Sequence, residues 1–348
     1  MNPNLILTAD PDFADLALAE LAEADKPAQV LPELAAGVWA LYLPSGFWPL
    51  AERWQAQPPI FVRHICPVDT AVDLPDSHKD VTLLERTTKA EFAGLIDPAL
   101  SFSVQARLLA DKPYNKFAVN SALSDAIELL TGAGLNTAEP VQVLSVIITE
   151  PVAFIGLSLA VTNLSSWAGG EHRFAREKGQ ISRAEFKLLE ALAVFQIDLP
   201  PRGLALDLGA APGGWTRVLR QKEQYVTAID PAILHPSLQA DTKVRHLPLT
   251  AEQYLETGPD RYDIIVNDMR LDARDSARLM GRYAPFLYPH GLALMTFKLP
   301  GEGRAAVLDH AFNILRPAYQ VAGARQLFHN RSEITVYLKP KQARSNLT

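Results

Sequence analysis

At 348 residues the chain exceeds one ordinary core and, at about 150 residues per domain, is expected to divide into two or three domains. Hydrophobic residues at 48% and charged residues at 21% exclude a disordered or fibrous chain and leave the globular class. A formal net charge of −6 argues against indiscriminate nucleic-acid binding, which needs a basic excess to neutralise phosphates, so any such contact falls to local patches.

The single cysteine, Cys66, can form neither an internal disulfide nor a paired-cysteine metal site, which fits a reducing, cytoplasmic setting. The start of the chain has no basic run and meets Asp10 and Asp12 early, so it does not read as a signal peptide. The most apolar stretch, 141–161, is interrupted by Glu150 and Pro151, whereas a membrane helix wants roughly 20 apolar residues in a row. No membrane span is expected. The eight histidines show no H-E-x-x-H spacing, and neither G-x-S-x-G nor a Walker motif occurs, so no obligatory metal is expected.

From 11 to about 67, helical stretches alternate with short apolar runs at 38–43 and 60–65, the pattern of a small α+β unit. A polar, Asp-rich stretch, 68–89, precedes an alternating strand at 101–107 and a helix at 115–130. Gly132 and Gly134 stop that helix, and two apolar strands follow at 141–149 and 152–160 around a Glu150-Pro151 turn. Residues 163–181 mix Gly, Ser and basic side chains without apolar periodicity, and the main linker is placed at 166–181. Beyond it, strand patterns at 205–208, 226–229, 244–247, 263–267, 292–297 and 334–338 alternate with helical ones. That alternation predicts an α/β domain with a mainly parallel sheet covered by helices on both faces. Two basic runs stand out: Arg173, Arg176, Lys178, Arg183 and Lys187, then Arg325, Arg331, Lys339, Lys341 and Arg344. Such runs suit either a solvated face or an RNA contact.

The sharpest local signal is Leu206-Asp207-Leu208-Gly209-Ala210-Ala211-Pro212-Gly213-Gly214-Trp215, an apolar strand running into a glycine turn and then a helix. Glycines there admit positive φ and close backbone approach at the carboxyl end of a strand, where open α/β sheets bind ligands. The G-x-x-x-G-G spacing departs from the dinucleotide pattern G-x-G-x-x-G, and Pro212 removes an N–H that a pyrophosphate would use. Asp230 ends the next strand about 20 residues on, the usual place for a carboxylate that accepts from a ribose diol. The two features point to an adenosine-bearing cofactor without phosphate and away from a nicotinamide oxidoreductase.

Further motifs extend this signal. Ser182-Arg183-Ala184-Glu185-Phe186-Lys187-Leu188-Leu189-Glu190 forms an S-R-A-x-x-K-L-x-E helix before the first strand, and Asn267-Asp268-Met269 an N-D-M step after the fourth. Phe297-Lys298 is followed by Gly301-Glu302-Gly303, and Arg331-Ser332-Glu333 stands near Tyr337. With the DLGAAPGGW loop, these resemble the motifs of the FtsJ-like ribose 2′-O-methyltransferases over about residues 180 to 340. The resemblance implies a seven-stranded, Rossmann-like domain that binds S-adenosylmethionine. Its expected cofactor residues are Ser182, Asp207, Gly209, Ala211 and Pro212, with Gly213, Gly214, Trp215, Asp230 and Asp268.

The resemblance also implies a catalytic tetrad of Lys187, Asp268, Lys298 and Glu333. A ribose hydroxyl is a weak nucleophile and needs a positioned base. A lysine serves as one only when burial or a neighbouring cation lowers its pKa. Lys298 is the expected base, Lys187 the neighbouring cation that also orients the hydroxyl, and Asp268 and Glu333 hold the lysines. The chain departs from the family in two places. Residues 244–250 lack the third-strand acid that contacts adenine, and Arg270-Leu271-Asp272-Ala273-Arg274 replaces the A-P-N of the small members.

In the first half, Ser101-Phe102-Ser103-Val104-Gln105-Ala106-Arg107, Lys112-Pro113-Tyr114-Asn115-Lys116 and the later IGLSL, 155–159, resemble a THUMP domain, an RNA-binding module. Together the halves resemble the RlmM-type enzymes, which methylate large-subunit ribosomal RNA. The expected organisation is a ferredoxin-like α+β unit at 1–66, a THUMP-like domain at 67–165, the linker, and a methyltransferase domain at 182–348. Expected RNA contacts are Arg107, Lys112, Lys116, Arg173, Arg176 and Arg183. The alternatives are an RNA-binding protein with a catalytically degenerate methyltransferase fold, or a 2′-O-methyltransferase acting on tRNA.

Overall fold

The computed structural model describes residues 2–75 and 77–341, which form two compact units, one ending at Glu171 and the other starting at His172. Arg344, a member of the second basic run, lies outside the described residues. Among those residues no helix is long and apolar enough to cross a membrane, and no group of three His, Cys, Asp or Glu side chains could hold a metal ion.

The first unit contains two four-stranded sheets. One is built from β1 (Leu5–Ala9), β2 (Gln29–Ala35), β3 (Val38–Tyr42) and β4 (Val62–Pro67), with helices α1 (Ala14–Ala24) and α2 (Phe47–Ala56) between them. Its order is β2-β3-β1-β4. The five residues of β1 are all buried, a short run that shows no alternation by which periodicity could separate strand from helix, and the sequence pattern alone did not mark them.

The other sheet uses β5 (Thr70–Asp73), β6 (Phe102–Leu108), β7 (Gln142–Ile148) and β8 (Val152–Leu159), joined through α3 (Lys79–Thr87) and α4 (Lys116–Thr131). Its order is β5-β8-β7-β6, and β7 is buried along its whole length, with Leu144, Val146 and Ile148 in one apolar cluster and Ile147 in another. The boundaries of α4 follow from its end residues. The Asn115 side chain accepts from Ala118 N, and Gly132 adopts a left-handed φ of +75° while its N–H bonds Glu128 O. Phe92, Phe102, Leu123 and Ile127 close the core beneath this sheet.

The second unit is a seven-stranded sheet in the order β11-β10-β9-β12-β13-β15-β14. Its strands are β9 (Leu204–Leu208), β10 (Tyr225–Ile229), β11 (Val244–Leu247), β12 (Tyr262–Asn267), β13 (Leu287–Lys298), β14 (Tyr319–Arg325) and β15 (Glu333–Pro340). The helices are α5 (Ala184–Val194), α6 (Gly214–Gln221), α7 (Pro236–Gln239), α8 (Ala251–Glu256), α9 (Ala273–Tyr283) and α10 (Arg304–Leu315). Neighbours from β11 to β13 pair in parallel, whereas β15 runs antiparallel to both β13 and β14.

Central β9 and β12 are near-continuous apolar runs, with Leu206, Ile264, Ile265 and Val266 fully buried, as a sheet covered on both faces requires. Strand β13 is longer than its pattern suggests because Pro289, His290 and Gly291 interrupt the apolar run inside it. Strand β14 carries no clear alternation. The chain leaves β9 for β10 on one side and reaches β12 on the other, so the topological switch lies at the carboxyl end of β9, where doubly wound sheets bind ligands.

Candidate active site

The glycine turn leaves β9 at this switch. Gly209 has φ +72° and Gly213 φ +111°, a region that L side chains rarely adopt. A Cβ on Gly209 would lie 2.2 Å from Met269 Cγ, and one on Gly214 would lie 2.2 Å from Ser182 Oγ. The turn is therefore a cradle of bare backbone. Ser182 Oγ beside it is buried without a hydrogen-bond partner, an unsatisfied donor and acceptor of the kind a polar ligand satisfies. Asp230, just past β10, accepts from Ala211 N at 3.0 Å and from Ala232 N at 2.8 Å, so it shapes the loop while keeping lone pairs for a further donor. These features fit an adenosine cofactor carrying an amino-acid tail.

Two expected cofactor residues have a different immediate role. The ring of Trp215 is 3% exposed, packs among Leu188, Ala191 and Val218, and donates from Nε1 to Ala184 O at 2.8 Å. It ties α6 to α5. Asp207 is 2% exposed and accepts from Thr216 Oγ1 at 2.7 Å. Burial pushes its carboxyl up to about 7 against the opposing Thr216 hydrogen bonds.

The four expected catalytic residues meet at the carboxyl ends of interior strands β12 and β13 of the same sheet. Lys187 comes from α5, Asp268 follows β12, Lys298 ends β13 and Glu333 begins β15. Lys298 and Glu333 are register partners across the antiparallel pair. Lys298 Nζ lies 2.7 Å from Asp268 Oδ1 and 3.8 Å from Glu333 Oε2. Lys187 Nζ lies 3.1 Å from Asp268 Oδ2 and 2.5 Å from Glu333 Oε1. Two cations and two carboxylates alternate around the cluster, largely out of water.

The two lysines diverge electrostatically. Burial and the Lys187 charge lower the pKa of Lys298, against the opposing pull of Asp268 and Glu333. For Lys187, burial also acts downward, but Asp268 and Glu333 together outweigh it and hold its pKa above the usual lysine value. Asp268 is held below the usual carboxylate range because Lys298 and Lys187 outweigh its burial.

Several supporting residues were given no role by the sequence. Thr296 lies two residues before Lys298, hence on the same face of β13, and its hydroxyl donates to Asp268 Oδ1 at 2.8 Å while accepting from Lys298 Nζ at 3.0 Å. Glu185 accepts from Ile181 N at 2.5 Å and Ser182 N at 3.2 Å, and pairs with Arg217 at 2.5 Å, fixing the segment that carries Ser182. Glu190 is 1% exposed and accepts from Phe328 N and His329 N, both at 2.8 Å. It anchors the loop that leads into Glu333. Period two on a strand could have identified Thr296; the partners of Glu185 and Glu190 have no local sequence signal.

The expected RNA contacts divide. Lys116, Arg173, Arg176 and Arg183 are exposed. Arg107 is not: its side chain is 13% exposed, donates to Thr8 Oγ1 at 2.8 Å and pairs with Glu171 at 3.6 Å. Lys112 likewise has a fully buried side chain, 3.7 Å from Asp80, and donates to Glu150 O at 2.6 Å. Both are corrections, because their charges are committed to internal partners. Arg325, in the second basic run, is also buried.

The seven-stranded sheet, the glycine cradle at its switch and the charged cluster beside it define a Rossmann-like methyltransferase fold. Residues 180–280, within the second unit, match the family described as FtsJ-like methyltransferase. Similar curated proteins include two named Ribosomal RNA large subunit methyltransferase M. The one from Alkalilimnicola ehrlichii is 37% identical over 178 residues, 49% of this chain and 49% of the relative. The one from Halorhodospira halophila is 35% identical over 182 residues, 51% of this chain and 53% of the relative. The chain thus spans about half the length of the curated relatives it matches. Among solved structures, TrmN from Thermus thermophilus aligns over 97% of this chain and 99% of its own, at 18% identity and a TM-score of 0.40.

Proposed function

We propose that this protein is an S-adenosylmethionine-dependent RNA methyltransferase that modifies a ribose 2′-hydroxyl, acting in the cytoplasm on large-subunit ribosomal RNA. The observation that carries the reading is the Lys187, Asp268, Lys298 and Glu333 cluster, closed at 2.5 to 3.8 Å beside the glycine cradle. When bound in that cradle, the cofactor supplies an electrophilic methyl group on a sulfonium. Backbone at Gly209, Gly213 and Gly214 leaves room for it, Asp230 accepts from its ribose, and Ser182 Oγ offers a polar contact.

The chain's own chemistry is proton transfer and orientation. Lys298, lowered by burial and by Lys187, accepts the proton of the 2′-hydroxyl. The ammonium it becomes is stabilised by Asp268 at 2.7 Å, a charge-assisted bond that strengthens as the proton arrives. Lys187 stays charged and donates to the substrate oxygen, and Glu333 holds Lys187 in place. The printed names of the curated relatives support ribosomal RNA as the substrate class. The first unit fits a ferredoxin-like segment, 1–66, and a THUMP-like segment, 67–165, which select RNA by shape and backbone before 166–181 connects to the catalytic domain at 182–348.

The test is transfer of labelled methyl from S-adenosylmethionine to ribosomal RNA lacking the modification, with modified riboses located by resistance to alkaline cleavage. Wild-type protein is expected to label one ribose. Lys298→Ala is expected to lose about 10² to 10⁴ in rate, the usual worth of a positioned base, while keeping its cofactor affinity. Near wild-type transfer by Lys298→Ala would reject Lys298 as the base. Cofactor binding without transfer to any RNA would favour an RNA-binding protein on a degenerate fold.

A further inference from the structure

Helix α9 begins five residues after Asp268 and presents Arg274, Arg278 and Arg282 at four-residue spacing; Arg270 continues the row one step toward the catalytic carboxylate. Residues four apart share a helix face, and the opposite face of α9 is committed to the core through Ala277, Met280 and Tyr283, all fully buried. The side chains of Arg274 and Arg278 are 42% and 57% exposed, and Arg270 and Arg282 are exposed as well.

The row is oriented rather than loose. Asp272 caps α9 through Arg274 N at 2.9 Å and grips the Arg274 guanidinium with two bonds of 2.8 and 3.0 Å. Asp272 is also bridged to Lys298 through the backbone, which ties the start of the row to the end of the strand that carries the proposed base. Arg278 is steadied by Asp275 at 2.6 Å. Four guanidinium groups against these two carboxylates leave a local positive excess on a chain whose net charge is −6. From Arg274 to Arg282 the helix rises about 12 Å, and arginine forks match phosphate oxygens in a way a point charge does not.

We infer that the solvent face of α9 is a track for the phosphate backbone of the RNA strand flanking the target ribose. This deepens the functional reading above and rests on it. Lys298 and Lys187 handle the hydroxyl at one end of the track, and the arginines hold successive phosphates along the helix. Because phosphate contacts fix register without reading bases, the track positions the strand and leaves target choice to other surfaces.

The test measures two quantities on protein-free large-subunit ribosomal RNA made by transcription: binding as a function of salt, and methyl transfer. The variant combines Arg274→Gln, Arg278→Gln and Arg282→Gln, which keeps helix-favouring residues on a solvent face. Its slope of log Kd against log salt is expected to be shallower than wild type by about 2, at about 0.7 per lost single-strand phosphate contact. Affinity for S-adenosylmethionine should stay unchanged, which checks the fold. The matching triple Lys variant should restore most of the slope. A Gln variant that binds RNA with the wild-type slope overturns the track. Wild-type protein that binds this RNA but methylates none overturns the functional reading instead, and the slope comparison still decides the track.

Discussion

Replacing Lys187 by Met, a side chain of similar length without charge, tests why Lys298 can lose its proton. Both ammonium groups reach Asp268 Oδ1, at 3.3 Å from Lys187 and 2.7 Å from Lys298, so they lie no more than about 6 Å apart. At an effective dielectric of about 20, two like charges at that distance repel by about 2.8 kcal/mol. Removing Lys187 removes that repulsion and leaves Asp268 and Glu333 to favour the charged form of Lys298. Both changes raise the Lys298 pKa. The fraction of Lys298 that is neutral at a fixed pH below that pKa should fall about a hundredfold, since about 1.4 kcal/mol is a factor of ten. The assay is single-turnover methyl transfer as a function of pH. Wild-type rate should climb as pH rises through the Lys298 pKa, and Lys187→Met should show the same climb displaced to higher pH, so that part of its deficit disappears in alkaline buffer. A deficit that is constant at every pH would mean that Lys187 only orients the hydroxyl. A displacement to lower pH would refute the electrostatic argument outright.

Further expectations follow from single contacts. Gly209→Ala forces a Cβ against Met269 at a φ of +72°, so its affinity for S-adenosylmethionine, read by calorimetry, should drop by at least about tenfold while RNA binding is retained. Glu190→Ala strips two backbone N–H groups of their acceptor, at about 1 to 3 kcal/mol for each buried group left unpaired; thermal unfolding should report the loss, with Glu190→Gln recovering part of it. For Asp207 burial raises the folded pKa to about 7 from the ordinary carboxylate value of 3.8. Its stabilising contribution is thus full below the unfolded value and is lost as pH rises through the folded one. Denaturant titrations should show wild-type protein without cofactor losing stability relative to Asp207→Asn as pH rises between these two values, and an unchanged difference would refute the assignment.

Much of the second unit was legible in the sequence because its strands are continuous apolar runs and its candidate site residues sit at strand ends, where glycine or a charge breaks the run. The exceptions are physical too. Strand β14 has buried and exposed positions in no simple alternation, and Gly323 in its middle removes a side chain that would have marked a face. Arg107 and Lys112 read as surface cations because a charge on its own does not reveal its partner: Thr8 is 99 residues from Arg107, and Glu150 is 38 from Lys112. The cluster itself marks the same limit. Sequence offers two lysines and two carboxylates, equivalent in charge, and nothing in their spacing says which lysine gives up a proton. The contacts break that symmetry. Lys187 has a carboxylate oxygen on each side, at 3.1 and 2.5 Å, whereas Lys298 has one at 2.7 Å and its second only at 3.8 Å. A cation held from both sides keeps its charge, and its field then disfavours the second cation, so the division of labour proposed for the lysines rests on the unequal reach of Glu333 across the pair of strands.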